Sequence, residues 1–249
     1  MCHSDDSRPP SAPGAGTAAE TGPTTLHAGD GNTLLAFEAR AGQPTGTGIV
    51  VLPDVRGLHA FYQQLAVRFA EVGVDAVAID YFGRTAGDDD RTEAFEFWPH
   101  VEKTTPAGVQ ADVQAAVDRL RERGATKVFT VGFCFGGGYS WRQSADTVGL
   151  AGCIGFYGRP ATALEVVQDM TAPLLMLVAG ADQHITVESV REVADRATVE
   201  ADLLVFEGAP HSFFDRSADE HADAAAQAWT AIRRFLEDQS SRAVPGTST

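Results

Sequence analysis

Short, almost entirely apolar runs alternate with amphipathic segments along most of this chain, and this alternation restricts its fold more than any other feature. The apolar runs lack the polar positions of half-buried strands, which is typical of parallel strands covered on both faces. The segments between them repeat apolar residues at helical spacing and stop near glycines. The pattern predicts an α/β protein with a doubly wound, mostly parallel sheet and helices on both faces.

The predicted elements can be read directly from the sequence. The buried strands are TGIVVLPD, DAVAID, KVFTVGF, LAGCIGFYG, PLLMLVAG and ADLLVFEG. The helices are HAFYQQLAVRFAEVG, PAGVQADVQAAVDRLRERG, a helix opened by GGGYSWRQS, TVESVREVADRA and SADEHADAAAQAWTAIRRFLED. Ahead of them, TTLHAGDGNTLLAFEAR predicts a hairpin. Because ligands of such sheets bind beyond the carboxyl ends of the strands, we look for chemistry there.

Length and composition suggest a single domain. A chain of 249 residues is long enough for one large α/β domain, for which we predict residues 23–238. Residues 1–22 are rich in Pro, Gly, Ala and Ser and predict a disordered tail, and so do residues 239–249.

Charge and cysteine content limit the classes of partner and the cellular location that we expect. The chain has 19 basic and 34 acidic side chains, a net charge of −15, which argues against nucleic acid or an anionic membrane surface as its partner. The three widely spaced cysteines, Cys2, Cys134 and Cys153, resemble neither a metal site nor a disulfide framework. With no apolar leader and no run long enough to span a bilayer, we expect a cytoplasmic protein with a small-molecule partner. The sequence leaves monomer or homodimer open.

One of these cysteines stands inside a glycine-rich turn, VGFCFGGGYS. Cys134 follows a predicted strand and precedes a predicted helix, with Gly132 and Gly136 two residues away on either side. This is the pattern of a nucleophile elbow with cysteine in place of serine, where larger side chains at the glycines would collide with strand and helix. The helix N-terminus there would favour a thiolate. Taken alone, the stretch also fits an inert, buried cysteine.

Two further polar residues follow later strands: Asp182 in LLMLVAGADQHIT and His211 in LLVFEGAPHSFFD. Taken singly, Asp182 fits a helix cap and His211 a surface histidine. His184 is the best rival of His211, but it precedes the last strand, and a histidine needs the later position to reach over the elbow. Together, Cys134, Asp182 and His211 have the nucleophile–acid–histidine order of α/β-hydrolases, each after a separate strand. We therefore predict a catalytic triad in which Asp182 orients His211 and His211 takes the thiol proton.

At these residues the chain resembles the dienelactone hydrolase (carboxymethylenebutenolidase) family of α/β-hydrolases, over roughly residues 24–238. The segments that carry the resemblance are GFCFGG at the nucleophile, AGADQHI at the acid, GAPHSFF at the histidine, and VLPDVRGL and AIDYFGR after two early strands. The resemblance implies the α/β-hydrolase fold. It also implies Cys134 as nucleophile, Asp182 as acid and His211 as base.

The resemblance further implies an oxyanion hole and a substrate pocket. The oxyanion donors would be the backbone N–H groups of Val55 and Phe135, the same pair that an elbow hydrolase draws from an early loop and from the residue after the nucleophile. The family usually carries a glutamate before the loop donor, and here that position is Asp54. The family holds a substrate carboxylate with arginines, for which the candidates are Arg84, Arg91 and Arg216, and Arg56 is a local variant that adds positive charge beside the loop.

The resulting prediction is a carboxylic-ester hydrolase that cleaves a lactone or small ester of the dienelactone type by nucleophilic acyl transfer. This chemistry needs no metal and no organic cofactor. One alternative is a broad carboxylesterase or thioesterase for small acyl groups. Another is a non-catalytic ligand-binding or redox-sensing protein on the same fold, because one fold hosts unrelated functions.

Overall fold

A single eight-stranded sheet organises the computed structural model, which describes residues 5–215 and 220–242. Its strands are β1 (Ala18–His27), β2 (Thr33–Ala41), β3 (Thr47–Leu52), β4 (Val74–Ile79), β5 (Lys127–Phe133), β6 (Gly152–Phe156), β7 (Leu174–Ala179) and β8 (Ala201–Phe206). They are ordered β1-β2-β4-β3-β5-β6-β7-β8. Strands β3 to β8 pair in parallel, whereas β1 with β2 and β2 with β4 are antiparallel. The predicted hairpin and the mostly parallel sheet are confirmed.

Helices cover both faces of this sheet. In the described residues they are α1 (Ala60–Ala70), α2 (Gly83–Ala86), α3 (Trp98–Val101), α4 (Pro106–Glu122), α5 (Phe135–Asp146), α6 (Pro160–Leu164), α7 (Val187–Arg196) and α8 (Ala222–Ser240). Helices α1 and α8 contribute to one hydrophobic cluster, and α4, α5, α6 and α7 to the other. The sheet is therefore doubly wound, with one core on each face.

Strand β3 shows why the apolar runs are continuous. All six of its residues are buried. Ile49 and Val51 belong to the core under α1 and α8, whereas Val50 and Leu52 belong to the opposite core. Because successive side chains of a strand point to opposite faces, a strand covered on both sides has no solvent-facing position that a polar residue could fill.

Residues 5–22, part of the stretch 1–22 for which the sequence predicted a disordered tail, contact the rest of the domain, whereas residues 1–4 lie outside the described residues. Residues 18–22 lie in β1, and the segment before it runs along α8. The Pro10 carbonyl accepts a hydrogen bond from Trp229 Nε1 at 3.1 Å, the Pro13 carbonyl accepts one from Arg233, and Ala12 is buried in the core. These partners lie more than 200 residues away in sequence, so local composition gives no sign of them. At the other end, α8 extends to Ser240, and residues 243–249 lie outside the described residues.

Candidate active site

Cys134 lies directly after β5 and caps the N-terminus of α5, with backbone angles φ 52° and ψ −109°. Residues other than glycine seldom adopt a positive φ, so surrounding contacts must hold this conformation. A Cβ at Gly132 would collide with the Gly136 carbonyl, and one at Gly136 would collide with the Leu52 carbonyl. The Cys134 N–H donates to the Phe156 carbonyl at 3.0 Å. The two glycines are therefore required by close backbone approach, as the elbow pattern predicts.

The loop after β3 lies against the first turn of α5. Within the described residues, no hydrogen bond engages the N–H of Val55 in that loop or the N–H of Phe135 in that turn. Both residues are half-buried. The Tyr81 hydroxyl donates to the Pro53 carbonyl and to the Asp54 carbonyl, the latter at 3.2 Å, and so fixes the loop just before Val55. The two predicted oxyanion donors are both available.

His211 and Asp182 form a hydrogen-bonded pair at the ends of β8 and β7. His211 Nδ1 lies 2.6 Å from Asp182 Oδ2, and Asp182 Oδ1 accepts from the N–H groups of His184 and Ile185 at 2.9 and 3.2 Å. Burial acts to raise the pKa of Asp182, but the His211 hydrogen bond and the two backbone donors outweigh it and hold the pKa below its ordinary value. Asp182 is therefore a carboxylate at neutral pH, which places a proton on His211 Nδ1.

The helix-cap interpretation of Asp182 does not describe what this side chain does. Thr186 caps α7, with its hydroxyl accepting from the Ser189 N–H at 3.2 Å. The Asp182 side chain is only 1% exposed and faces His211, whose side chain is 20% exposed. His184, the rival histidine, is exposed, and its backbone N–H donates a hydrogen bond to Asp182. The His211–Asp182 pair is thus the one the chain order predicts.

Tyr157 connects the histidine to the cysteine. Its ring centroid lies 4.8 Å from that of His211, and it follows Phe156, whose carbonyl binds the Cys134 N–H. Burial raises the pKa of Tyr157 well above its ordinary value, and the nearby Asp215, Asp54 and Cys134 raise it further. Cys134 and His211 therefore both lie beside Tyr157. The sequence analysis did not single out Tyr157, and its φ of 36° has no signal in the sequence.

Two of the arginines predicted to hold a substrate carboxylate bind carboxylates of the protein itself. Arg84 pairs with Asp30 at 2.7 Å and with the fully buried Asp112 at 2.8 Å. Arg91 is buried, pairs with the buried Asp80 at 2.8 Å, and donates to the carbonyls of Gly87 and Asp89. The third candidate, Arg216, lies outside the described residues.

Arg56 and Asp54 belong to a buried ion cluster beside the loop donor. Arg56 Nε donates to Asp54 Oδ1 at 3.0 Å, and an Nη of Arg56 contacts Asp215 Oδ2 at 2.5 Å. Burial opposes the positive charge, but Tyr62, Asp54 and Asp215 outweigh it and hold the pKa of Arg56 above the ordinary arginine value. Sequence analysis placed Arg56 beside the loop and missed Asp215, which is 159 residues away.

Comparison with known proteins identifies the family to which this chain belongs. The model of the dienelactone hydrolase family matches residues 35–240. A Yersinia pestis protein assigned as a carboxymethylenebutenolidase is 27% identical over 247 residues, which cover 90% of each chain. A Bradyrhizobium protein assigned as a 2-oxo-3-(5-oxofuran-2-ylidene)propanoate lactonase is 29% identical over 228 residues, which cover 83% of this chain and 90% of the relative.

A solved structure supports the fold independently. The crystal structure of a Klebsiella pneumoniae protein assigned as a dienelactone hydrolase matches with a TM-score of 0.73 at 24% identity, covering 88% of this chain and 99% of that one. Together with the strand order, this confirms the predicted α/β-hydrolase fold. Among the helices of the described residues, none has the length and apolar character needed to cross a bilayer. The cytoplasmic location stays a prediction.

Proposed function

Because this chain belongs to the dienelactone hydrolase family and is a carboxylic-ester hydrolase of that type, we propose that it cleaves a lactone or small ester with Cys134 as the nucleophile. The observation that carries the proposal is the cysteine held at φ 52° at the start of α5, with its N–H bound to the carbonyl of Phe156, the residue before Tyr157, whose ring contacts His211. A buried cysteine with only a structural role would not need this backbone conformation. The strain is expected where a side chain must be presented to a substrate.

The first half of the reaction forms a thioester. The Cys134 sulfur attacks the carbonyl carbon of the substrate, and the thiol proton passes to His211 Nε2, because Nδ1 is bound to Asp182. The carbonyl oxygen becomes an oxyanion, which the N–H groups of Val55 and Phe135 stabilise together with the N-terminus of α5. When the tetrahedral intermediate collapses, the alkoxide or enolate leaves and takes the proton from His211.

The second half releases the acid. His211 Nε2 takes a proton from water, and the resulting hydroxide attacks the thioester carbon. The same N–H pair binds the second oxyanion, and the thiolate of Cys134 is expelled and takes the proton back from His211, which restores the thiol and the neutral imidazole. Because Asp182 remains a carboxylate throughout, it stabilises the imidazolium in both halves.

Direct detection of the thioester tests this mechanism. The protein is mixed with excess p-nitrophenyl acetate, quenched in acid within the first turnover, digested, and its peptides are examined by mass spectrometry. We expect an acetyl group on the peptide that contains Cys134, and no acetyl-thioester in Cys134→Ala. An acetyl group that appears on another side chain with the same kinetics in both proteins contradicts the assignment of the nucleophile.

A second candidate keeps this mechanism and changes the substrate to neutral esters or thioesters of small acyl groups. The observation that favours it is the pairing of Arg84 and Arg91 with Asp30, Asp112 and Asp80, because an arginine already bound to a carboxylate attracts a substrate carboxylate weakly.

Two substrates with the same leaving group separate the candidates: p-nitrophenyl acetate, which is neutral, and the p-nitrophenyl monoester of succinic acid, which carries a carboxylate. A higher kcat/KM for the neutral ester supports the broad esterase. A higher kcat/KM for the anionic ester, lost at high salt, supports the dienelactone-type pocket.

A further inference from the structure

The Arg56 side chain turns back past Val55 to bind Asp54. Val55 is the residue proposed to supply the loop N–H of the oxyanion hole. The Arg56 N–H donates to Asp54 Oδ1 at 2.9 Å, and its Nε donates to Asp54 Oδ1 and Oδ2 at 3.0 and 3.2 Å. Asp54 and Arg56 thus hold each other on either side of Val55. The Gly57 N–H donates to the Asp54 carbonyl at 3.1 Å and closes the turn. These bonds fix the direction in which the Val55 N–H points.

The other end of the same guanidinium reaches the loop that follows β8 and carries His211, called the histidine loop below. Arg56 contacts Asp215 Oδ2 at 2.5 Å, and Asp215 lies four residues after His211. This loop is a compact turn: the Phe213 N–H donates to the Pro210 carbonyl at 3.2 Å, and the Asp215 N–H donates to the Ser212 carbonyl at 3.1 Å. A displacement of Asp215 is therefore transmitted to His211 through only a few bonded residues.

We propose that Arg56 is a positioning residue that holds the oxyanion loop and the histidine loop in register around Cys134, by binding Asp54 and Asp215 with one guanidinium. The proposal rests on the proposed function, because Val55, His211 and Cys134 have the roles given above. Arginine suits this position since its planar fork binds two carboxylates in fixed directions, which a lysine ammonium does not.

The surroundings of Arg56 distinguish this role from binding a substrate carboxylate. The side chain is 7% exposed and lies over the rings of Phe61 and Tyr62, at 5.6 and 5.3 Å from their centroids. Two carboxylates of the protein already contact its nitrogens. A guanidinium enclosed in this way orients parts of the protein rather than a ligand that enters from solvent.

Replacement of Arg56 by methionine is the direct test, with Arg68→Met as the matched control. Arg68 lies on α1 and pairs with Glu71, and both side chains are partly exposed. We expect Arg56→Met to lower kcat about 100-fold with little change in KM, because a shift of about 1 Å in catalytic geometry has an effect of this size. The loss should be equal for the neutral and the anionic p-nitrophenyl esters. Arg56→Lys should regain part of the rate, and Arg68→Met should match the wild type.

The double variant Arg56→Met/Asp215→Asn distinguishes a positioning role of Arg56 from a role in stability alone. Removing Arg56 alone takes a cation from two buried carboxylates, so some of the lost rate could come from unfolding. The double variant removes one of the two charges and should regain thermal stability relative to Arg56→Met. Positioning predicts that kcat stays low in the double variant although its melting temperature rises. A kcat that recovers together with the melting temperature overturns the proposal.

Two further outcomes are decisive. If Arg56→Met raises KM for the anionic ester alone, Arg56 is a substrate ligand and the proposal is wrong. Cys134→Ala is measured alongside: if it is inactive while Arg56→Met has wild-type kcat, the positioning role fails and the proposed function stands. If Cys134→Ala is as active as the wild type, the proposed function itself fails.

Discussion

Two cysteines on neighbouring strands differ in almost every property that governs reactivity. Cys134 follows the last residue of β5, is half-buried and has a positive φ, whereas Cys153 lies inside β6, opposite Thr130 of β5, and is fully buried. Burial raises the pKa of Cys153 to about 12, with a smaller opposing effect of a hydrogen bond with Thr130. The same side chain is thus a candidate nucleophile at the end of a strand and a core residue within the next one.

Activity should separate these cysteines most strongly. We expect Cys134→Ala to lower kcat/KM by about 10³-fold or more, because removing a nucleophile disables the whole catalytic unit. Cys153→Ala should keep the wild-type kcat/KM, since Cys153 lies in the sheet interior and not at its carboxyl edge. The measurement is p-nitrophenyl acetate hydrolysis by both variants at one temperature. Equal losses in the two variants would mean that packing around the cysteines, and not the thiol at the elbow, determines activity.

Alkylation rates should show the next largest contrast. In a Cys2→Ser background, iodoacetamide at pH 7.5 should modify Cys134 in the native protein and leave Cys153 unmodified until denaturant is added. Access to the reagent favours Cys134, and at a pKa of about 12 only about one Cys153 thiol in 3 × 10⁴ is ionised at pH 7.5. Mass spectrometry of the digested protein gives both rates. Modification of Cys153 at a rate close to that of Cys134 would show that β6 opens readily.

The elbow could be predicted from sequence because its constraints are local. A Cβ at Gly132 would collide with the backbone of Gly136, so this steric requirement lies within five consecutive residues, whereas the requirement at Gly136 comes from the carbonyls of Leu52 and Pro53 and is visible in the sequence only through the elbow pattern. Asp182 and His211 are far apart in sequence, but each follows a recognisable buried strand. The topology of a parallel sheet brings such strand ends to one edge, so the positions of the strands in the sequence were enough to predict that these two residues lie close together.

The ion pairs could not be predicted in the same way. Arg84 was expected to face a substrate, yet it binds Asp30 and Asp112, which are 54 and 28 residues away. Arg56 reaches Asp215 across 159 residues. Hydrophobic periodicity specifies which face of an element is buried, but it carries no information about which charged side chains meet at the ends of different elements. This is why the predicted acid and base, Asp182 and His211, form a hydrogen-bonded pair, while the predicted arginine pocket does not form from Arg84 and Arg91.

Replacement of Cys153 should affect stability more than replacement of Cys134, the reverse of the effects expected on activity. We expect Cys153→Ala to lower the free energy of unfolding by about 1–2 kcal/mol, because it leaves a small cavity in a fully buried strand. Cys134→Ala should change it by less than about 0.5 kcal/mol, since its sulfur is partly exposed and the strained backbone is the same in both proteins. Urea unfolding followed by circular dichroism measures both. A larger loss in Cys134→Ala would show that the thiol itself stabilises the elbow.

The smallest effect is the contribution of Cys153 to the dependence of stability on alkaline pH. Its pKa is about 12 in the folded protein against an ordinary 9.0, so the folded state binds more protons than the unfolded state between these values. The contribution of Cys153 is therefore complete below pH 9 and is lost as the pH rises towards 12. Between pH 9 and pH 10 the free energy of unfolding should fall by about 1 kcal/mol from this group.

Comparison of two variants separates the cysteine from the buried tyrosines. Burial raises the pKa values of Tyr62, Tyr81 and Tyr157 well above the ordinary 10.0, so these groups begin to lower the free energy of unfolding as the pH approaches 10, but they do so in both variants alike. Urea unfolding at pH 9 and pH 10 should therefore show a smaller decrease in Cys153→Ala than in Cys134→Ala, both in the Cys2→Ser background. An equal decrease in the two variants would mean that Cys153 ionises as easily in the folded as in the unfolded chain. The contrast between the strand end and the strand interior would then rest on access to the thiol and not on its ionisation.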